Sequence, residues 1–168
     1  MAVSTTDHPA VEPANRSAEM AACIGRYRDK VFDWDAFPAN RGFSELERAQ
    51  IRYIGAGGSP KVDDPNTLPP EHFTLSMVHQ PPGKYAASHM HEIEEAFLVL
   101  DGVLTIGWSW DDEVIEVRLG PRDMCLNASG RPHGFRNDGV NPVLMRFFFW
   151  AKAAARLMAV VVLPTPPF

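Results

Sequence analysis

Hydrophobic and polar positions change their period near residue 45 of this chain. Before that point the apolar residues recur at intervals of three or four positions: Met20, Cys23, Ile24, Tyr27 and Val31. This spacing is that of one face of an amphipathic helix, and Ser17 can cap such a helix at its N-terminus. The pattern predicts a short helix that begins near Ser17 and covers a sheet.

Between residues 45 and 150, short apolar runs alternate with turn residues. The runs are ERAQIRYI, FTLSMVHQ, EAFLVLDGVLTIGW, EVIEVRL, DMCLNA and VLMRFFFW. Runs of this length, rich in β-branched and aromatic residues, predict an antiparallel all-β sandwich or barrel. The stretch GAGGSP at residues 55–60 lacks the lysine and hydroxyl residue of a phosphate-binding loop. We expect it to begin a long loop that continues to Pro70 and lies over one end of the barrel.

A chain of 168 residues is long enough for one buried core with additional terminal segments. We divide it into a flexible arm (1–16), a helix and lead-in (17–44), a barrel (45–150) and a C-terminal tail (151–168). The tail contains the apolar run LMAVVVL, which is shorter than the ~20 residues that span a bilayer. We expect the tail to pair with the barrel or with a second copy of the chain, and therefore expect a homodimer.

The charge of the chain narrows the range of partners. The formal net charge is -5, and no cluster of lysine and arginine is available to neutralise phosphates, which argues against nucleic acid or an anionic membrane as a partner. We expect a small-molecule substrate instead. The two cysteines, Cys23 and Cys125, are far apart, and no apolar run follows basic residues at the N-terminus. These features predict a cytoplasmic protein with reduced thiols.

The segment SHMHEIEEAFLVLDG at residues 88–102 carries the candidate chemistry. Alternate side chains of a strand face the same way, so His89, His91 and Glu95 would share one face if the strand runs unbroken between them. His133, in SGRPHGFRN, lies on a later strand that antiparallel pairing can bring alongside. Three imidazole nitrogens and one carboxylate oxygen form a ligand set for a divalent metal ion. If the strand carries a bulge, Glu94 becomes the competing ligand.

Residues 83–102 resemble the first motif of the cupin superfamily, G-x5-H-x-H-x3-E-x6-G, at every specified position: Gly83, His89, His91, Glu95 and Gly102. This resemblance implies a double-stranded β-helix, a jelly-roll-like barrel, here with a short N-terminal helix. It also implies that His89, His91, Glu95 and His133 are the metal ligands.

The second cupin motif, G-x5-P-x-G-x2-H-x3-N, is matched less completely. Gly130, His133 and Asn137 are in place, whereas Arg122 replaces the first glycine and Ala128 replaces the proline. The replaced positions belong to turns, so the departures affect loop geometry rather than the ligand set. The resemblance covers roughly residues 45–150.

The implied metal is a divalent transition ion. Nitrogen and oxygen donors without thiolate favour Fe or Mn, while Ni, Co, Cu and Zn also fit. For His72 and His79, which have no motif spacing, we expect ordinary packed or hydrogen-bonded roles. Arg52 could face into the barrel and bind an anionic substrate, and a carboxylate or a tyrosine such as Tyr85 could move a proton.

Three functions fit these residues. Many cupins are metal-dependent oxidoreductases, so we expect a dioxygenase that acts on a small chelating substrate such as a diphenol, an enediol or a diketone. The alternatives are a non-redox isomerase, lyase or decarboxylase, and a barrel that binds a small molecule without chemistry.

Overall fold

A computed structural model describes residues 13–62, 64–111 and 113–150. Residues 1–12 of the predicted arm and the whole predicted tail lie outside the described residues. Within the described ranges the chain forms an α-helix, three 3₁₀ turns and nine β-strands: α1 (Pro13–Ala22), the turns at Tyr27–Asp29, Pro38–Asn40 and Ser44–Leu46, β1 (Ala49–Ile54), β2 (Phe73–Gln80), β3 (Tyr85–His89), β4 (Glu95–Asp101), β5 (Leu104–Trp110), β6 (Glu113–Leu119), β7 (Met124–Asn127), β8 (His133–Arg136) and β9 (Val143–Trp150).

The strands form two antiparallel sheets. One sheet has the order β1-β2-β9-β4-β7 and the other has the order β3-β8-β5-β6. Neighbouring strands of a sheet are often distant in sequence, since β9 pairs with both β2 and β4. The arrangement confirms the predicted all-β fold, with chain crossings between the sheets as a double-stranded β-helix requires.

The core lies between the sheets, and alternation along β9 explains why. Val143, Met145, Phe147 and Phe149 are buried, whereas the residues between them are more exposed. The period of two places every second side chain on the inner face. There they join apolar side chains of both sheets in one cluster, which includes Phe97 on β4 and Phe135 on β8.

Gly102 makes the tight connection between β4 and β5 possible. Its φ is +81°, and a Cβ atom at this position would lie 2.7 Å from the carbonyl oxygen of Pro142. Only glycine adopts this backbone conformation without strain and also fits the space. The last glycine of the first motif therefore has a structural role.

The observed helix α1 differs from the predicted one in position and in role. It spans Pro13–Ala22 rather than continuing to Val31, and Gly25, a poor helix former, follows soon after its end. Met20 is 69% exposed and Val31 is 86% exposed, so the prediction that this helical face covers a sheet is wrong. No helix among the described residues is long and apolar enough to cross a membrane.

The loop after β1 crosses inward-facing side chains of β2 and β9. Gln50 Nε2 donates hydrogen bonds to the carbonyl oxygen of Gly57 and to Ser76 Oγ, which anchor the loop. Gly58 has a φ of +83°, and a Cβ atom there would lie 2.7 Å from the ring of Phe149. The absence of a side chain thus lets the loop backbone lie directly on an aromatic ring of the core.

Candidate metal centre

Four side chains meet between the two sheets. His89 ends β3 and His133 begins β8, and the β3–β8 ladder places the two residues directly opposite each other. Glu95 begins β4 in the other sheet. His91 lies in the irregular segment 90–94 that connects β3 to β4. The unbroken strand suggested by the spacing is therefore not formed, and the connecting segment itself brings His91 to the cluster.

The potential ligand atoms are close to one another. One ligand atom from each of the four residues lies within 4.8 Å of all the others. Glu95 Oε2 lies 2.8 Å from His133 Nε2 and 3.2 Å from His91 Nε2. The His89 and His133 rings are 4.7 Å apart between centroids. Four residues that are spread over positions 89–133 of the sequence thus surround a space the size of a single ion.

Each imidazole is held by a backbone carbonyl. His89 Nδ1 lies 2.8 Å from the oxygen of Ala87, His91 Nδ1 lies 2.8 Å from that of Ile93, and His133 Nδ1 lies 2.8 Å from that of Arg131. A carbonyl oxygen can only accept, so Nδ1 carries a proton in each ring. In the neutral ring this leaves the lone pair on Nε2, the atom that faces the cluster.

Burial and mutual charge set the protonation of the cluster. Burial disfavours ionisation of Glu95, but His133 and His91, whose Nε2 atoms donate hydrogen bonds to it when the rings are protonated, outweigh burial and hold the pKa of Glu95 at about 2. Burial lowers the pKa of His89 to about 4. Burial also acts to lower the pKa of His91, yet its hydrogen bond to Glu95 raises that pKa overall. A carboxylate and a neutral His89 are both ready to bind a cation at neutral pH.

The donor set fits a divalent transition metal. Glu95 is 1% exposed, and an ionised carboxylate at such a site is costly unless positive charge compensates it. Because the Nε2 atoms of His91 and His133 contact this carboxylate and His89 stays neutral, the cluster offers nitrogen and oxygen donors that a cation could bind together. Three nitrogens and one oxygen could hold the ion, although they do not identify the element.

Inward-facing residues beside the cluster include one free polar group. Asn127 lies opposite Glu95 on β7 and is fully buried. Its Oδ1 accepts a hydrogen bond of 2.8 Å from Trp108 Nε1, which fixes the orientation of the amide. Its Nδ2 has no partner among the described residues. On the other side, the ring of Phe149 contacts that of His91 with 5.3 Å between centroids.

The structure separates Tyr85 from this cluster. Tyr85 lies opposite Arg136, and the next residue, Ala86, lies opposite Phe135 in the core. Because successive residues of a strand point to opposite faces, Tyr85 lies on the outer face of β3. An irregularity in the register between Ala86 and His89 brings His89 to the inner face instead. The position of Tyr85 does not bring it together with the four candidate ligands.

Arg52 lies in an ion-pair network. Its Nη2 is 3.0 Å from Asp33 Oδ2 and 2.9 Å from Asp64 Oδ2, and its side chain is 7% exposed. Lys61 also contacts Asp33. These residues line a cavity of about 650 Å³ formed by the lead-in and the loop after β1. The four candidate ligands do not line this cavity, in which Arg52 is paired with Asp33 and Asp64.

One cationic residue near the cluster, Arg48, was not among the candidates predicted from the sequence. Arg48 immediately precedes β1, and its guanidinium carbon lies 5.9 Å from the ring centroid of Phe135 in the core. The alternation that directs Gln50 and Arg52 inward also includes position 48. That parity was the available signal in the sequence.

Three other residues considered in the sequence, His72, His79 and Glu94, are exposed to solvent or packed against aromatic rings. The side chain of His72 is 82% exposed, and His79 packs edge-on against the aromatic rings of Phe32 and Trp34. Glu94 is exposed to solvent. None of these three residues joins the cluster that could hold a metal ion.

Comparisons with known proteins agree with the fold. The family model described as the cupin domain matches residues 76–150, a range that contains all four candidate ligands. No curated protein matches the chain. The structure of the DMSP lyase DddQ from Ruegeria pomeroyi matches with a TM-score of 0.57 and 20% sequence identity, covering 93% of this chain and 72% of that one.

The capsular polysaccharide assembling protein CapF from Staphylococcus aureus also matches. The TM-score is 0.51 and the identity is 18%, with 71% of this chain and 28% of that chain covered. At such identities the similarity concerns the fold. Taken with the two antiparallel sheets and the family match over residues 76–150, it leads to one conclusion: residues 76–150 form a cupin domain.

Proposed function

We propose that this protein is a metal-dependent dioxygenase that acts on a small chelating substrate, such as a diphenol, an enediol or a diketone. The observation that carries the proposal is the cluster of His89, His91, Glu95 and His133. Four protein donors leave coordination positions free on an ion that accepts five or six ligands. Fe or Mn is the proposed metal, because hard and borderline donors without thiolate suit both.

When bound, the ion would supply Lewis acidity, one-electron chemistry and open positions for substrate oxygens. The protein chain would orient the three imidazole rings and the substrate. The carbonyl oxygens of Ala87, Ile93 and Arg131 hold the three rings. Asn127 Nδ2, a buried donor without a partner among the described residues, would donate a hydrogen bond to a substrate oxygen. The ring of Phe149 would help to exclude water from the substrate.

The position of Tyr85 favours the redox route over the non-redox route. An isomerase, lyase or decarboxylase needs a group that moves a proton at the substrate. Tyr85, the tyrosine considered for this role beside a carboxylate, lies on the outer face of β3 opposite Arg136. A redox reaction at a chelated substrate makes no comparable demand on a separate protein base.

A lyase is the second candidate, and the observation that favours it is the fold similarity to DddQ. That protein is a DMSP lyase, and its structure matches 93% of this chain. In this alternative the metal ion polarises the substrate, and a ligand histidine or a water molecule replaces Tyr85 as the base.

Metal analysis followed by paired turnover assays would distinguish these functions. The protein is purified without chelator and without a histidine tag, and Fe, Mn, Ni, Co, Cu and Zn are measured per chain. Oxygen uptake is then recorded with diphenols and diketones, and parallel anaerobic reactions are analysed for products. The His133→Ala variant and the His72→Ala variant, whose altered side chain is exposed, serve as test and control.

Near-stoichiometric Fe or Mn with oxygen uptake that His133→Ala abolishes would support the dioxygenase. Turnover that proceeds equally well without oxygen would replace it by the lyase. Thermal stabilisation by a ligand without any turnover would indicate a binding module. A protein that stays metal-free after reconstitution would contradict all the metal-dependent proposals.

A further inference from the structure

Arg48 places a guanidinium group against two aromatic rings, and no ion pair in direct contact joins it to a described side chain. Its guanidinium carbon lies 4.1 Å from the ring centroid of Phe37 and 5.9 Å from that of Phe135. Its Nε is buried and has no hydrogen-bond partner in the part of the chain that the structure describes. The hydrogen bond from Nη1 to the carbonyl oxygen of Leu46 is long, at 3.5 Å. The group is thus held by aromatic faces, and its donors are largely unused.

Two aromatic rings connect this group to the metal cluster. The ring of Phe135 packs against that of Phe97 with 5.3 Å between centroids, and Phe97 packs against His133 at 6.2 Å. The charges also interact. Burial lowers the pKa of Arg48 to about 10, and the negative charge of Glu95 acts against that shift. Arg48 therefore remains a cation within electrostatic reach of the cluster.

A bound metal ion would change the balance of charge around Arg48. In the protein alone, the carboxylate of Glu95 partly compensates the guanidinium. A divalent cation held by Glu95 would bring two positive charges, of which one offsets the carboxylate and one remains in excess. The site would then hold an excess of positive charge around Glu95, which is 1% exposed, and such an excess is costly at a buried position. An anionic ligand would restore the balance.

We propose that Arg48 binds an anionic group of the substrate, most simply a carboxylate, while other substrate oxygens chelate the metal. The substrate class is then an anionic chelator. The planar guanidinium can form two parallel hydrogen bonds to a carboxylate. Arg48 also lines a cavity of about 340 Å³ on the side of Trp34 and Phe43, which gives access to it. This inference rests on the proposed metal-dependent function, because it requires the ion.

The test compares two probes that differ by a carboxylate. Catechol and 3,4-dihydroxybenzoate present the same pair of chelating oxygens, and only the second carries an anionic substituent. Their dissociation constants are measured by calorimetry without oxygen on protein reconstituted with Mn(II). We expect 3,4-dihydroxybenzoate to bind about tenfold more tightly or better, the range of a charge-assisted hydrogen bond.

Three variants test whether Arg48 causes the preference for 3,4-dihydroxybenzoate over catechol. Arg48→Met should abolish it while leaving catechol binding and metal content unchanged, and Arg48→Lys should retain part of it. Arg41→Met is the matched control, because Arg41 lines the same cavity but pairs with Asp35 through a hydrogen bond of 2.6 Å. The control should bind both probes as the unaltered protein does.

The outcomes separate this inference from the proposed function. If catechol binds and the carboxylate adds nothing in the unaltered protein, the role of Arg48 is refuted while the chelating metal site stands. The same conclusion follows if Arg48→Met keeps the full preference. If neither probe binds the metal-loaded protein, the proposed function fails and this inference fails with it.

Discussion

His89 and His133 are directly opposite each other on β3 and β8, with their ring centroids 4.7 Å apart. The backbone ladder therefore sets the spacing of these two rings. Glu95 approaches the pair from the other sheet and contacts His133. The cluster consequently joins the two sheets of the fold, so an ion bound there would contribute to stability.

Removing one ligand tests this coupling. His91→Ala should lower metal affinity by more than about tenfold, since even the outer partners of metal ligands contribute that much. The melting temperature of the metal-loaded protein should fall with it, because the lost binding free energy is also folding free energy. His72→Ala, at an exposed position, should change neither quantity. Full metal occupancy in His91→Ala would show that the ligand set is wrong.

The contact between Gly58, in the loop after β1, and the ring of Phe149 can be tested in a second variant. In Gly58→Ala the new Cβ would lie 2.7 Å from the ring of Phe149, which contacts His91. We expect a loss of stability of about 2 to 5 kcal/mol, the sum of backbone strain and overpacking, together with weaker metal binding. Stability is measured by denaturant unfolding and metal binding by calorimetry.

Gly42→Ala is the matched control for that variant. Gly42 has a φ of +87°, close to that of Gly58, but a Cβ atom added there would meet no described atom within 4 Å. It should show the backbone strain alone, about 1 to 2 kcal/mol, with unchanged metal binding. Equal effects of the two variants would mean that Phe149 does not transmit the change to His91.

Much of the metal cluster could be predicted from the sequence because its ligands follow fixed spacings. The route by which they converge could not be predicted. Strand periodicity suggested that His91 continues a strand, whereas a connecting segment carries it. The helical spacing that continues to Val31 was misleading, since exposed apolar residues follow a helix that ends at Ala22. Arg48 was overlooked because periodicity indicates a face without indicating which charged residues find partners there.

The ion-pair network of Arg52 predicts a dependence of stability on pH. Burial would raise the pKa values of Asp33 and Asp64, but hydrogen bonds, including those from Arg52, lower both below 3.8. A lowered pKa in the folded state stabilises the protein above the unfolded value, and the stabilisation disappears as pH falls through the folded value. The melting temperature should therefore fall below about pH 4.

Arg52→Met should reduce that dependence and destabilise the protein by about 3 kcal/mol at pH 7, because it leaves two partly buried carboxylates with less compensation. Thermal unfolding between pH 7 and pH 2.5 measures both effects. Metal content should not change. Lost activity at unaltered stability would instead favour the catalytic role that the sequence suggested for Arg52.

The two cysteines should differ in reactivity. Cys23 is exposed, whereas Cys125 is partly buried, and burial raises the pKa of the Cys125 thiol to about 11, with a further contribution from Glu95. Because the thiolate is the reactive form, Cys125 should react much more slowly. Titration with an aromatic disulfide reagent at pH 8 should label one thiol per folded chain rapidly. Cys23→Ser should remove that rapid phase, and a rapid phase that persists would contradict the assignment.

The carbonyl oxygens that hold the Nδ1 atoms have a consequence for metal exchange. The rings of His89, His91 and His133 are oriented by the folded backbone itself, so the entry or departure of an ion requires little rearrangement of its ligands. Exchange should then be governed by the path through the protein rather than by reorganisation of the site. A site whose ligands are oriented in this way would accept several ions of the same charge. The ion that is bound would then depend on which ions the cell supplies.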